Sequence, residues 1–362
     1  MVEALLDALE LPRHFCVVEA VPATAAELLK FHSKEYVEAL QKAREDTMSE
    51  EELEDTGLTH DCPVFDDVFE LAQLEAGGSL TGARALVAEE ARTAVWWHGG
   101  RHHCRSDGAA GYCYVQDVGL ALLVLVGGFG RVVYIDLDVH HGDGVEDAMW
   151  TTDKVLTLSF HRHGVGFYPG TGSEQDTGGG PGKYHKLNVP LNEGLTDEDF
   201  TTLFPPIALA VQQHFQPGAV VLQCGADSLA GDPVGEFSLT QKSYLLAVQT
   251  CLSWNLPLLI VGGGGYHLPN TARLWATLTA AVANVPLRDV VPEHDYFPEY
   301  TPDFRLSIAK DGRLDQNTAS ELEGLVQRVV ARLEMVGRAR QSETSDTGKR
   351  QRRGEGGESE RD

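Results

Sequence analysis

Residues 131–144 read Arg-Val-Val-Tyr-Ile-Asp-Leu-Asp-Val-His-His-Gly-Asp-Gly, and the change of texture inside this stretch decides the fold. The first six residues are a short apolar, β-branched run; the remainder is polar and ends in glycines. A buried strand that stops at a cluster of functional side chains has this appearance. Three further runs repeat the pattern, at 155–160, Ala219–Gln223 and Leu258–Val261, each followed by glycines or by charged and aromatic residues. The connections between them are long enough for helices, so the alternation predicts an α/β fold with a mostly parallel sheet and helices on both faces. Working outward, residues 1–60 read as helical and acidic, and 64–94 as a small-residue-rich helical segment. Residues 316–336 form an amphipathic helix with Leu322, Leu325, Val329 and Leu333 at helical spacing. The expected organisation is one domain over 1–336 and a disordered charged tail over 337–362.

In an open parallel sheet, ligands gather at the carboxyl ends of the strands. Period-two alternation puts Asp136, Asp138 and His140 on one side of an extended backbone. Three polar side chains straight after a buried run are costly without a charge to bind. Cys224-Gly225-Ala226-Asp227-Ser228 follows another strand and offers a further oxygen ligand. Asp138, His140 and Asp227 together leave a coordination position open for water, as a catalytic zinc requires; ferrous iron tolerates the same ligands. Arg101-His102-His103, preceded by two glycines, supplies adjacent imidazoles that can move protons, with Asp136 and Asp143 as spare carboxylates to orient them. The last strand ends in Gly262-Gly263-Gly264-Gly265-Tyr266. Its glycines allow close backbone approach to a ligand, and its tyrosine can donate to a developing oxyanion.

Bulk composition narrows the partners. Lys+Arg number 29 against 54 Asp+Glu, a net charge of -25, which excludes a basic nucleic-acid footprint and suits lysine-rich peptides. Six scattered cysteines at 16, 62, 104, 113, 224 and 251 form no Cys-x-x-Cys pair, as in a reduced intracellular protein. The longest apolar run, residues 120–126, is too short to span a bilayer, and the N-terminus lacks a secretory signal. Lys349-Arg350-Gln351-Arg352-Arg353 reads as a nuclear localisation signal or a solvated charge run.

Six blocks together resemble the class I histone deacetylases: His98-Gly99-Gly100-Arg101-His102-His103, Gly111-Tyr112-Cys113-Tyr114, DLDVHHGDG (136–144), FYPGTG (167–172), QCGADSLAGDP (223–233) and GGGGYHLPNTARLW (262–275). The resemblance implies a single arginase-like domain around an eight-stranded parallel sheet. It implies zinc-dependent hydrolysis of N6-acetyl-lysine in histones or other proteins, with corepressor proteins as partners. The expected location is the nucleus, and the cytoplasm as well. By the same resemblance Asp138, His140 and Asp227 bind zinc, and His102 and His103 transfer protons with Asp136 and Asp143 behind them. Tyr266 polarises the substrate carbonyl. Asp61 holds the substrate backbone, while Gly111, Tyr112, Tyr168 and Gly264 contact the lysine chain. Potassium falls to Asp136, Asp138, His140, Ser159 and Phe160.

The chain departs from the family pattern in three places. Tyr112 and Tyr168 stand where class I members usually have phenylalanine. Pro233 replaces an arginine that contacts an inositol phosphate, and the 161–168 loop is one residue longer, which leans towards the type-eight-like branch. The family also has about thirty more residues ahead of the point matching Met1, including one sheet strand and a cavity-lining arginine. Two rival readings follow from the residues: a deacetylase of acetylated polyamines, and a non-catalytic binding scaffold.

Overall fold

The computed structural model describes residues 1–44 and 48–354, side chains of 341–354 excepted. Four short helices come first: α1 (Val2–Ala8), α2 (Ala25–Leu28), α3 (Lys34–Lys42) and α4 (Glu50–Thr56). The 20-residue α5 (Val68–Val87) leads into β1 (Thr93–Trp96). Then follow α6 (Asp117–Phe129), β2 (Val132–Asp136), α7 (Asp143–Ala148), β3 (Val155–Arg162) and β4 (Lys186–Leu191). The chain continues through α8 (Asp197–Ala210), β5 (Ala219–Gln223), α9 (Gln241–Ser253), β6 (Leu258–Val261), α10 (Leu268–Val282) and α11 (Ala319–Gly354).

The strands form one all-parallel sheet in the order β1-β6-β5-β2-β3-β4. Both faces are covered, which is why the strands read as continuous apolar runs rather than as alternating ones. Val133 and Ile135 of β2 point into a core shared with α8, α9, α10 and α11, through Phe204, Tyr244, Leu274 and Val329. Val132 and Tyr134 point the other way, to Ala83 of α5 and Val118 and Leu122 of α6. Every one of these residues is buried, so each face draws on the period-two geometry of the same strand.

Two expectations need correction. The sheet has six strands among the described residues, not eight. Between β5 and α9 strand-type pairing is confined to the isolated parallel bridges Leu229–Leu239 and Thr196–Ser238, and Gly231, Pro233 and Gly235 lie in that segment. Glycine and proline do not sustain a ladder there. The last helix also runs past the expected boundary near 336: Val336 is buried, and Arg340 donates to the carbonyls of His214 and Phe215. The tail expected from 337 therefore begins inside α11, while residues 355–362 and the side chains of the basic cluster 349–353 lie outside the described residues. No helix among the described residues is long and apolar enough to cross a membrane.

Sheet order also places the site. From β2 the chain moves outward through β3 and β4, then returns to β5 and β6 on the opposite side. The reversal lies between β2 and β5, and the crevice beyond their carboxyl ends is where an open α/β sheet binds ligands.

Candidate metal centre

The loop leaving β2 is shaped by its own carboxylates. Asp136 Oδ1 accepts the Asp138 N–H at 3.1 Å, and Asp138 Oδ1 accepts the His140 N–H at 3.1 Å. These two turns present Asp138 and His140 towards the loop that leaves β5. Asp227 meets them there: its Oδ1 accepts the Val139 N–H at 2.9 Å, and its Oδ2 lies 3.0 Å from His140 Nδ1. One ligand atom from each of Asp138, His140 and Asp227 lies within 4.8 Å of the other two, and all three residues are buried.

Charge explains why this arrangement suits a cation. Burial and the neighbouring Asp138 push the Asp227 carboxyl up to about 7. Burial works against charge on His140, yet bonds to Asp138 and Asp227 raise it to about 10. Two carboxylates pressed together out of water resist joint ionisation, and a divalent ion between them removes that cost. Hard oxygens with one imidazole, and only three protein ligands, form the donor set of an open catalytic site.

Two histidine–aspartate pairs stand against this triad. His102 Nδ1 is 2.9 Å from Asp136 Oδ2, which also accepts the Tyr134 hydroxyl at 2.8 Å. His103 Nδ1 is 2.7 Å from Asp143 Oδ1, and Arg105 donates to the other Asp143 oxygen at 2.8 Å. Burial lowers His102, but Asp138 and Asp136 outweigh it and raise this histidine to about 9. For His103, burial and the charge of His102 win over Asp143 and hold it near 4. Two adjacent imidazoles thus differ sharply in basicity. With Nδ1 committed to Asp143, the His103 Nε2 is left for whatever enters the cavity.

That cavity is lined by Gly100, His102, His103, Gly111, Tyr112 and Tyr266, among others. Burial and the charges of Asp227 and Asp138 push the Tyr266 hydroxyl far up, so it stays protonated and keeps a hydrogen to donate. Its ring lies 5.7 Å from that of Tyr112, and Tyr168 stands edge-on to His103 at 4.9 Å. Tyr112 and Tyr168 are both about half exposed. A side chain on Gly111 would strike the His103 ring at 2.4 Å, and this residue has φ +53°, so glycine is needed on both counts. Asp61 Oδ2 accepts the Gly111 N–H at 2.9 Å and fixes that wall. Ser159 is the register partner of Asp136, with its Oγ 2.8 Å from His161 Nδ1; Phe160 points into the core against Phe200 and Phe204.

Sequence reasoning missed several positioning residues. Gln223 Nε2 donates to Asp138 Oδ2 at 2.9 Å. Asp117, at the start of α6, accepts the N–H groups of Gly100 and Arg101 at 2.9 and 2.7 Å and so holds the histidine loop. Asp232 accepts the Tyr266 N–H at 2.7 Å and sets the glycine loop. Phe167 stacks on the His140 ring at 5.2 Å. Gln223 and Asp232 lie inside a block already singled out, but nothing in their spacing signals backbone partners far along the chain. Away from the cavity, His98 pairs with Glu3 on the surface and His267 caps α10.

Comparison with known proteins adds a family. Residues 1–282 match the histone deacetylase domain. Over 316 residues, 87% of this chain, it is 45% identical to histone deacetylase 1 of Homo sapiens, and it spans 65% of that relative's length. Over 337 residues it is 41% identical to histone deacetylase 8 of Xenopus tropicalis, covering 93% of this chain and 91% of the relative.

Proposed function

The chain belongs to the histone deacetylase family, and on that footing we propose that it hydrolyses the amide of N6-acetyl-lysine in proteins, releasing acetate and free lysine. One observation carries this reading: a buried Asp-His-Asp triad shares its crevice with two histidine–aspartate pairs and a tyrosine hydroxyl. Asp138, His140 and Asp227 would hold a divalent ion, zinc by preference and ferrous iron as the alternative. Bound there, such an ion supplies a Lewis acid for the acyl carbonyl and brings the pKa of a water from 15.7 towards about 7.

The remaining work belongs to the chain's own groups. The acyl-lysine side chain enters between Tyr112 and Tyr168, against Gly111 and Gly264, while Asp61 holds the substrate backbone at the rim. Tyr266 donates its hydroxyl to the acyl oxygen and stabilises negative charge as it builds. His103, oriented by Asp143, takes a proton from the attacking water at Nε2 and returns it to the departing amine. His102, oriented by Asp136, sets the basicity of its neighbour. Asp136, Asp138, His140, Ser159 and Phe160 would hold a potassium ion beside the triad, where the ends of β2 and β3 lie side by side. Residues 1–336 act as the catalytic domain, with 337–362 outside its chemistry. Histone tails and corepressor proteins are the partners this reading favours, in the nucleus and in the cytoplasm.

The test is turnover of an acetyl-lysine peptide and of N-acetylspermidine by purified, metal-loaded protein beside a Tyr266→Phe variant. The peptide should be turned over and the polyamine poorly, with kcat falling about 100- to 1000-fold in the variant, as expected for loss of one oxyanion donor. Preference for the polyamine, or an unaffected Tyr266→Phe enzyme, would contradict it.

A further inference from the structure

Arg101 and Glu75 form an ion pair that the chemistry above does not use. Arg101 stands directly before the two histidines and lines the cavity with them. Its Nη2 lies 2.5 Å from Glu75 Oε1, and Glu75, in the middle of α5, is buried. The Trp96 indole N–H donates to the Glu75 carbonyl at 3.1 Å and ties that turn of α5 to β1. The half-exposed Tyr112 and Tyr168 mark the open end of the cavity, so a pair anchored on buried α5 belongs to the inner end.

The pair is incomplete as a hydrogen-bonded unit. A guanidinium carries five N–H donors and no acceptor. Arg101 Nε and Glu75 Oε2 are buried without a hydrogen-bond partner in the protein, and about a quarter of the Arg101 side chain is still accessible. The arginine is held at both ends, its backbone N–H by Asp117 at 2.7 Å and its head by Glu75. Gly100 and Gly263, in the same lining, bring no side chains that could cover it.

Amide geometry decides what meets this pair. A secondary amide is planar and trans, so the acyl chain of a bound acyl-lysine continues away from the lysine stem, towards the inner end. A methyl is the smallest carbon group that can follow the carbonyl. Each added methylene reaches further towards Arg101 and displaces the water that its free donors need. Donors stripped of water and offered no acceptor are costly, and an apolar chain offers none. Building on the deacylation proposed above, we propose that Arg101 is a specificity-determining residue. Its charged head, fixed by Glu75, restricts the site to acetyl and rejects longer apolar acyl groups such as butyryl.

The test compares acetyl-lysine and butyryl-lysine forms of one peptide, by turnover and by equilibrium binding. The proteins are the metal-loaded wild type, Arg101→Lys and the double variant Arg101→Met with Glu75→Gln. The wild type should favour acetyl by about tenfold or more in kcat/KM and in affinity. Methionine keeps the stem without donors and glutamine leaves no buried charge, so the double variant should narrow that preference about tenfold. Arg101→Lys keeps a charged donor and should retain most of it. If the double variant does not fold, Arg101→Met alone carries the same expectation. Equal handling of the two peptides by the wild type overturns the proposal. So does a preference that survives loss of the donors, or one lost as fully in Arg101→Lys. Binding separates this inference from the reading beneath it. A chain that binds with these preferences but hydrolyses neither peptide refutes the hydrolysis and supports the role of Arg101; one that hydrolyses acetyl-lysine without discriminating refutes the role of Arg101 alone.

Discussion

A side chain at position 264 would begin 2.0 Å from Asp227 Oδ2 and 3.1 Å from Asp138 Oδ2, so the loop after β6 can lie against both carboxylates only as glycine. Its N–H donates to Asp138 Oδ2 at 2.9 Å, which orients a ligand that also bonds Gln223. Gly264→Ala should keep the fold by circular dichroism, yet lose metal affinity and kcat/KM by about 100-fold, as when support behind a ligand fails. Unchanged metal affinity in a titration would show that the loop does not position Asp138. At this scale the residues that gather in the crevice were legible in the sequence, because Asp136, Asp138 and His140 alternate along one strand end and glycines mark close approach. The pairing of His102 with Asp136 and His103 with Asp143 was not legible from spacing, since two histidines and two aspartates admit either match. Gln223, Asp117 and Asp232 stayed hidden because they act through bonds to groups as far as 85 residues away in the chain.

Among the elements, the joint between α2 and α3 carries a pH dependence. His32 sits there, buried, and its Nε2 accepts the Gln116 N–H at 3.0 Å, immediately before α6. Protonation would remove that acceptor, and burial holds His32 down to about 4 from an ordinary value of 6.5. For a base lowered on folding, the unfolded chain binds the proton more readily between those values. Stability from this group is therefore full above 6.5 and is lost as pH falls towards 4. Between pH 7.5 and pH 5 the loss from this group should be about 2 kcal/mol. His32→Gln, which offers an uncharged acceptor, should lose that much less over the same range in chemical denaturation. Parallel curves for the two proteins would contradict the assignment. The sequence located β2, β3, β5 and β6, whose apolar runs match the sheet almost residue for residue. It missed β1, only four residues long, and β4, where Lys186, Asn188 and Pro190 interrupt the apolar pattern of an edge strand. The extent of α11 was equally opaque, because Arg340 finds its carbonyl partners on a different helix.

For the whole molecule, the balance of 54 acidic against 29 basic residues sets how substrates arrive. A lysine-rich peptide approaching a net charge of -25 is drawn by a field that salt screens over about 10 Å at 0.1 M. Raising salt from about 0.05 to 0.5 M should lower kcat/KM for such a peptide several-fold, through KM, and leave a neutral acetyl-lysine substrate nearly unaffected. Equal salt responses would place recognition in the tunnel alone. Composition made this charge plain, and the alternation of runs made the layered fold plain. The alternation put the site at the carboxyl ends of the strands, but that the strands carrying it are neighbours at a reversal of strand order, β2 beside β5, is a property of the assembled sheet. The central claim is that Asp138, His140 and Asp227 form one catalytic metal centre. The most direct test strips the protein of metal, titrates zinc back, and follows bound metal and acetyl-lysine hydrolysis together, beside Asp227→Ala. One ion per chain should bind tightly and restore activity in step with occupancy, with both lost in the variant. Hydrolysis that persists without metal, or a tight ion that survives Asp227→Ala, would contradict the account.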